Sequence, residues 1–165
     1  MADDLGEGPA IILDGGDTAL GLESTVIDLS GPEPLLLRPG AIPREEIEKI
    51  IEARLGDAAT PDRPASPGQL ESHYAPRARL RLEATSVEPG EALLAFGGNP
   101  LATQGPVVNL SPSGDLREAA TGFFAALRKL DDSGSPVIAV APVPDEGLGE
   151  AINDRLRRAA APRGE

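Results

Sequence analysis

The stretch PVIAVAP, at positions 136–142, decides the fold of this 165-residue chain. It is an almost continuous apolar run, and such runs are typical of a strand that is buried on both faces of a sheet. Helical periodicity flanks it on each side: apolar side chains recur every three or four positions over residues 116–130 and again over residues 148–159. The pattern predicts a long helix, a central strand and a final helix.

Three further strands are predicted upstream of the long helix. ARLRLEA (78–84) alternates apolar and charged side chains, as a half-buried strand does, and EALLAF (91–96) and VVNL (107–110) are short apolar runs. Strands that alternate with helices indicate an α/β arrangement. Residues 78–165 are therefore predicted to form a small Rossmann-like α/β/α domain.

Residues 1–57 predict a less complete α/β unit. PAIILD (9–14) looks like a buried strand, and STVIDLS (24–30) and LLLR (35–38) look like strands of an antiparallel sheet. Pro43 opens a helix with an apolar stripe of Ile47, Ile50, Ile51 and Leu55, and Gly56 is expected to end it. One helix and a few short strands would leave much of a sheet uncovered, so we expect the end of a larger domain.

The segment 58–77 between these parts is proline-rich and has the composition of a linker. It contains His73 and Tyr74, the only histidine and the only tyrosine of the chain. A spacer seldom needs such a pair, which leaves two interpretations. The two side chains either fix the linker to a neighbouring domain or cover a ligand as a lid.

Composition excludes several classes of function. The chain has no cysteine and one histidine, which rules out disulfides and thiolate metal sites and makes a zinc site improbable, so no metal site is expected. The formal charge of −12 disfavours non-specific nucleic-acid binding and a membrane-surface role. Neither a transmembrane helix nor a signal peptide is recognisable, and we expect a cytoplasmic protein.

Three side chains are separate candidates for anion binding. Ser24 and Thr25 follow a glycine-containing turn, where hydroxyls and backbone N–H groups can hold a phosphate or carboxylate, although such a pair also simply starts strands. Arg38 ends an apolar strand, where it suits either a bidentate phosphate contact or an extended position off the sheet edge.

Weaker signals have structural explanations. Asp14 beside Gly15 is expected to form a turn, and FGGNP (96–100) opens no helix. Arg155, Arg157 and Arg158 are expected to complement the negative end of the last helix dipole.

Five motifs occur in an order that resembles a known family. They are ILDGGDTALGLESTVIDL (12–29), LLLRPGAIPREEIE (35–48), SPGQLESHYAP (66–76), NLSPSGDLREAA (109–120) and EGLGEAINDRLRRAA (146–160). The chain resembles two-domain L-threonylcarbamoyladenylate synthases, which comprise a YrdC-like catalytic domain, a linker and a small Rossmann-like C-terminal domain.

The resemblance implies an activity and a set of ligands. The family condenses L-threonine, bicarbonate and ATP into threonylcarbamoyl-AMP and pyrophosphate for the N6-threonylcarbamoyladenosine modification of tRNA. The resemblance therefore implies that ATP is a substrate, accompanied by Mg²⁺, and that the chain has no tightly bound cofactor. Ser24 and Thr25 would line the nucleotide pocket, Arg38 would contact phosphate, and His73 and Tyr74 would belong to a lid over the active site.

The chain also departs from the family pattern. The Lys-x-Arg pair and the Ser-x-Asn segment that hold ATP and threonine belong upstream of ILDGG, and the chain begins too late to contain them. Residues 69–72 (QLES) replace an aromatic and two cations that many relatives have in the lid. We therefore expect a C-terminal fragment that makes no threonylcarbamoyl-AMP alone.

Two alternatives stay open. In the first, the chain is a non-catalytic module that binds a nucleotide or a partner of the tRNA-modification machinery. In the second, two copies of the chain form a homodimer that covers the incomplete sheet.

Overall fold

The computed structural model describes residues 18–58 and 75–162, together with the isolated positions 8, 10, 11 and 13. In chain order its elements are β1 (Val26–Asp28), β2 (Leu35–Arg38), α1 (Arg44–Ile51), β3 (Gly56–Asp57), β4 (Arg79–Arg81), β5 (Ala92–Ala95), β6 (Val107–Asn109), α2 (Leu116–Asp131), β7 (Val137–Val140) and α3 (Leu148–Ala160). None of the helices within these ranges combines the length and the hydropathy that a membrane span requires.

The C-terminal part contains a four-stranded sheet in the order β4-β7-β5-β6, in which every neighbouring pair is parallel. Strand β7 lies between β4 and β5, and its residues Ile138, Ala139 and Val140 are at most 2% exposed. The central strand predicted from PVIAVAP is confirmed. The α/β class predicted for the chain is confirmed as well.

Both long helices lie on one face of this sheet. Helix α2 packs on β5 and β6, α3 packs on β4, and the two helices contact each other. Asp115 begins α2 because its Oδ1 atom accepts hydrogen bonds from the backbone N–H groups of Arg117 and Glu118, at 2.7 and 2.9 Å. Phe123, Leu130 and Ile152 are among the fully buried side chains between the helices and the sheet. Aliphatic side chains supply nearly all of this core, in a chain whose aromatic content is 2%.

The N-terminal part contains a three-stranded sheet in the order β1-β2-β3. Strands β1 and β2 are antiparallel, as predicted, but β3 is parallel to β2. The buried strand predicted at 9–14 is wrong for its described apolar residues, because Ala10, Ile11 and Leu13 are exposed and lie in no strand. An apolar run is buried only where a second element covers it. Pro9, Ile12 and Asp14 lie outside the described residues.

Helix α1 is shorter than its apolar stripe predicts. It ends at Ile51 because Glu52 adopts a left-handed conformation with φ of 52°, so the predicted continuation to Leu55 and the stop at Gly56 are wrong. The Glu48 Oε1 atom instead accepts a hydrogen bond of 2.8 Å from the backbone N–H of Leu55. Leu55 is buried after this turn, and Gly56 pairs with β2.

The two parts share apolar contacts. Leu22 belongs to the same buried cluster as the side chains between α2, α3 and the C-terminal sheet. Gly21 lies against α2 so closely that a Cβ atom there would lie 2.7 Å from the backbone oxygens of Ala120 and Thr121. The segment before β1 is therefore seated on the helical layer of the C-terminal part.

Candidate functional site

Ser24 and Arg38 are brought together at the start of β1 and the end of β2. Arg38 is 8% exposed, and its Nε and Nη2 atoms donate to the Ser24 backbone oxygen at 3.2 and 2.9 Å. Its Nη2 atom also lies 3.3 Å from the Ser24 Oγ atom, to which it donates. The extended position off the sheet edge, one of the two interpretations of Arg38, is wrong because the guanidinium turns inward to a main-chain acceptor.

Thr25 is held by the loop that follows β2. Its Oγ1 atom donates to the Ile42 backbone oxygen at 2.6 Å and accepts from the Ile42 N–H at 3.1 Å. Gly40 lies directly against the same segment, because a Cβ atom there would lie 2.5 Å from the Ser24 carbonyl carbon and from the Thr25 nitrogen. The backbone of residues 23–25 is thus fixed from one side by a loop that requires glycine.

This arrangement, which we call the Ser24–Arg38 cluster (Ser24, Thr25 and Arg38), combines a permanent positive charge with the Ser24 hydroxyl, while the Thr25 hydroxyl is engaged with Ile42. An arginine whose Nε and Nη2 are anchored on a main-chain carbonyl loses little entropy when a further acceptor is bound. Such a group is suited to an anion such as a carboxylate or a phosphate. His73, Tyr74 and Asp14 lie outside the described residues.

Arg155 was misjudged from the sequence. It is fully buried, and its Nε and Nη2 atoms donate to Glu23 Oε2 at 3.0 and 2.8 Å, while Nη1 donates to Asp154 Oδ2 at 2.6 Å. The role predicted for it, complementing the helix dipole, is therefore wrong. A signal was available: Ile152, Arg155, Leu156 and Ala159 follow the i, i+3, i+4, i+7 spacing of a buried helix face, and Arg155 occupies one of those buried positions.

Glu23 directly precedes Ser24, so Arg155 of α3 holds the segment that carries the cluster. The two other arginines at this helix end behave differently. Arg158 donates to both carboxylate oxygens of Asp154, at 2.9 and 3.0 Å, and Arg157 is exposed. Helix α3 therefore positions the segment around Ser24 through Arg155, whereas Arg157 and Arg158 do not contact that segment.

A second polar contact joins α1 to the first turn of α3. Arg44 Nε and Nη2 donate to Glu150 Oε1 at 3.1 and 2.6 Å, and Arg44 also bonds the Leu55 backbone oxygen at 2.8 Å and the Asp57 carboxylate. The hydrogen bond to Glu150 raises the pKa of Arg44 above its ordinary value, against the opposing effect of burial. The Glu45 carboxylate accepts from the Gly147 N–H at 3.3 Å, just before α3 begins.

These contacts were not predicted, because Pro43 and the two glutamates that follow Arg44 are sufficient to explain the start of a helix. The structure uses Arg44 and Glu45 to hold α1 against α3 as well. Within residues 18–58 and 75–162, no group of three or more histidine or acidic side chains is close enough to hold a metal ion.

Comparison with known proteins agrees with this fold. A sequence model of the family described as threonylcarbamoyl-AMP synthase, C-terminal domain, matches residues 42–161. The chain belongs to the threonylcarbamoyl-AMP synthase family.

Several curated relatives carry the name threonylcarbamoyl-AMP synthase, among them proteins of Pyrococcus abyssi and Bacillus subtilis. The Pyrococcus abyssi protein is 37% identical over 171 residues, covering 92% of this chain and 49% of the relative. The Bacillus subtilis protein is 36% identical over 180 residues, covering 99% of this chain and 52% of the relative. The chain thus spans about half the length of the curated relatives it matches.

Solved structures of the Pyrococcus abyssi protein Sua5 share the architecture. Sua5 complexed with L-threonine superposes with a TM-score of 0.82 at 32% identity, over 96% of this chain and 52% of that one. A variant in which an adjacent histidine and tyrosine are both replaced by alanine superposes with a TM-score of 0.70 at 30% identity, over 88% of this chain and 47% of that one.

Proposed function

We propose that this chain supplies one wall of the substrate pocket of a threonylcarbamoyl-AMP synthase, with the Ser24–Arg38 cluster as its anion-binding element. The observation that carries the proposal is the anchored guanidinium of Arg38 beside the Ser24 hydroxyl, in a segment held by Gly40 and by Arg155. A rigid positive group of this kind suits a reaction whose substrate and leaving group are polyanions. The product of the reaction serves a tRNA modification.

The proposed substrates follow from family membership. Threonylcarbamoyl-AMP contains a threonine, a carbonyl group and an adenylate, which points to L-threonine, bicarbonate and ATP as its sources. The similar Sua5 structure is described as a complex with L-threonine. Mg²⁺ would enter as the counter-ion of the nucleotide phosphates. We place the reaction in the cytoplasm, and we expect no direct contact of this chain with tRNA, because its net charge is −12.

The lid remains part of the proposal. A studied Sua5 variant carries alanine in place of an adjacent histidine and tyrosine, and this chain has one such dipeptide, His73–Tyr74. We propose that these two side chains close over the bound substrates and exclude water from the reactive adenylate.

The charges around the Ser24–Arg38 cluster argue against synthesis by this chain alone. Over residues 18–58 the cationic side chains are those of Arg38, Arg44, Lys49 and Arg54. Arg44 is already paired with Glu150 and Asp57. Adenylate transfer needs several positive groups around the phosphates, and the described residues of this part supply too few.

An enzymatic assay tests this expectation. Pyrophosphate release is measured from the purified chain with ATP, Mg²⁺, L-threonine and bicarbonate, and we expect no release above the rate without enzyme. Release that depends on both threonine and bicarbonate would show that the chain is a complete synthase.

Calorimetric titration with ATP and Mg²⁺ tests the cluster itself. We expect Arg38→Ala to weaken binding by about tenfold or more, because a charge-assisted contact is lost. Arg54→Ala is the matched control: it removes the same charge from the same part of the chain, at a side chain that is 94% exposed. Equal affinities for the two variants would favour the alternative, a module that binds its nucleotide or partner elsewhere.

A further inference from the structure

Strands β4 and β7 are neighbours, yet the chain leaves them toward opposite faces of the sheet. The connection from β6 through α2 to β7 runs in one direction across the sheet, and the connection from β4 to β5 runs in the other. Connections between parallel strands are right-handed, so residues 82–91 cross the face opposite the helices. After β7 the chain enters α3 on the helical face. The carboxyl ends of β4 and β7 therefore form a topological switch point, where α/β sheets bind ligands.

A cavity of about 390 Å³ lies at this point. Its apolar wall is formed by Leu82, Val140, Val143 and Leu156. The volume is within the range of small-molecule sites, and an apolar wall with a few polar groups is their usual composition. The cavity is separate from the Ser24–Arg38 cluster, since its lining comes from the C-terminal sheet and α3.

Asn153 supplies a buried polar group to the cavity. Its Nδ2 atom donates to the Val143 backbone oxygen at 3.0 Å and to Asp145 Oδ1 at 3.1 Å. Because both partners accept, these bonds fix which end of the amide is nitrogen. Oδ1 is left as an acceptor, and it receives no hydrogen bond within residues 18–58 and 75–162. An asparagine residue that is 9% exposed and has an unused acceptor favours a ligand that donates.

Three charged side chains complete the lining. Glu83 and Asp145 follow β4 and β7, and Arg157 comes from α3. Glu83 has φ of 52°, a left-handed conformation that costs a non-glycine residue energy and is enriched at ligand sites. The cavity thus offers two carboxylates and an amide oxygen to a positive donor group, and one guanidinium to a negative group.

We propose that this cavity binds an apolar α-amino acid. The side chain of the ligand would lie against the apolar wall, its ammonium group would donate to Asn153 Oδ1 and the carboxylates, and its carboxylate would accept from Arg157. The proposal does not depend on the activity proposed above, since none of its residues belongs to the Ser24–Arg38 cluster.

Titrations followed by ¹H–¹⁵N correlation spectra test the proposal with three probes that share one branched body. They are L-leucine, 3-methylbutan-1-amine and 3-methylbutanoate, each added to the full chain up to about 10 mM, the range of weak small-molecule binding. We expect shifts at residues 82–83, 140–145 and 153–157. L-Leucine should bind tightest and the carboxylic acid weakest, because it lacks the ammonium group.

Variants separate the two charged ends. Arg157→Ala should weaken L-leucine by about tenfold and leave the amine unchanged, whereas Glu83→Gln should weaken both. Both side chains are exposed, so folding is retained. Glu146→Gln is the matched control, since Glu146 is adjacent to Asp145 but does not line the cavity. The proposal is overturned if no probe shifts these residues, if the acid binds as well as the amine, or if adenosine binds there more tightly than L-leucine.

Discussion

The guanidinium of Arg155 donates two hydrogen bonds to the Glu23 carboxylate, across 132 residues of chain. The arginine side chain is fully buried, whereas the glutamate side chain is 33% exposed. Since Glu23 precedes Ser24, this pair sets the position of the Ser24–Arg38 cluster relative to the C-terminal helices. A buried cation depends on such a partner because its desolvation is otherwise uncompensated.

Glu23→Gln should therefore destabilise the fold. We expect a loss of about 1–3 kcal/mol in the free energy of unfolding, less than for a fully buried pair because Glu23 is partly solvated and Asp154 still pairs with Arg155. Urea unfolding at pH 7 measures it. Glu33→Gln, at an exposed turn position, is the control, and equal midpoints for the two variants would contradict the role given to the pair.

Two glycines should respond to alanine with opposite signs. Gly40→Ala places a Cβ atom 2.5 Å from the backbone at Ser24 and Thr25, which cannot move aside, and we expect a loss of about 1–3 kcal/mol. Gly122 lies inside α2 with no atom within 4 Å of the added Cβ, so Gly122→Ala should stabilise by about 0.5–1 kcal/mol. Thermal unfolding of both variants checks the prediction, and the same sign for both would refute it.

The C-cap of α1 offers a further test. Glu52 has φ of 52°, a conformation that glycine adopts without strain. We expect Glu52→Gly to stabilise the chain by about 1 kcal/mol. Glu46→Gly, inside the same helix, should instead destabilise it by about 1 kcal/mol. A lower urea midpoint for Glu52→Gly than for the unmodified chain would be inconsistent with a strained cap.

Glu91 makes part of the stability depend on pH. The hydrogen bonds from Arg81, against the opposing effect of burial, hold the pKa of Glu91 below its ordinary value of 4.5. A carboxyl group whose pKa is lowered by folding stabilises the fold above its ordinary pKa, and this contribution disappears as the pH falls through the lowered value.

Unfolding by urea between pH 7 and pH 3 measures this contribution. Glu91→Gln should be less stable than the unmodified chain at neutral pH, and the difference should shrink once the pH falls below about 4. A difference that stays constant down to pH 3 would mean that the pairing with Arg81 does not favour the ionised form.

The spacing of apolar residues along the sequence predicted the helices and strands that are buried in the C-terminal core. Helices α2 and α3 and strand β7 all contribute side chains to one core. Their apolar residues therefore recur at the spacing of a buried helix face or strand, and the elements lie where that spacing predicts. The end of α1 was not predictable, because a glutamate rather than a glycine adopts the left-handed turn. Strand β3 has two residues and carries no periodicity.

The site was predictable only in part. Ser24 and Arg38 lie together because β1 and β2 are antiparallel neighbours, so the start of β1 lies beside the end of β2. The support from Arg155 was not identified, because a salt bridge across 132 residues leaves no mark in local composition. The role of Arg155 depends on tertiary packing, and its position within an apolar stripe was the only local indication.

Leu22 contacts the apolar cluster beneath the C-terminal helices, and Gly21 lies against the backbone of α2. Because the N-terminal part contributes to that cluster, the two parts cannot melt independently. Calorimetry should accordingly show a single heat-absorption peak, with equal van't Hoff and calorimetric enthalpies. In evolutionary terms, a recombination breakpoint between residues 58 and 75 would separate Leu22 from that cluster. The C-terminal part would then have a cavity in its core, and the N-terminal part would expose the leucine.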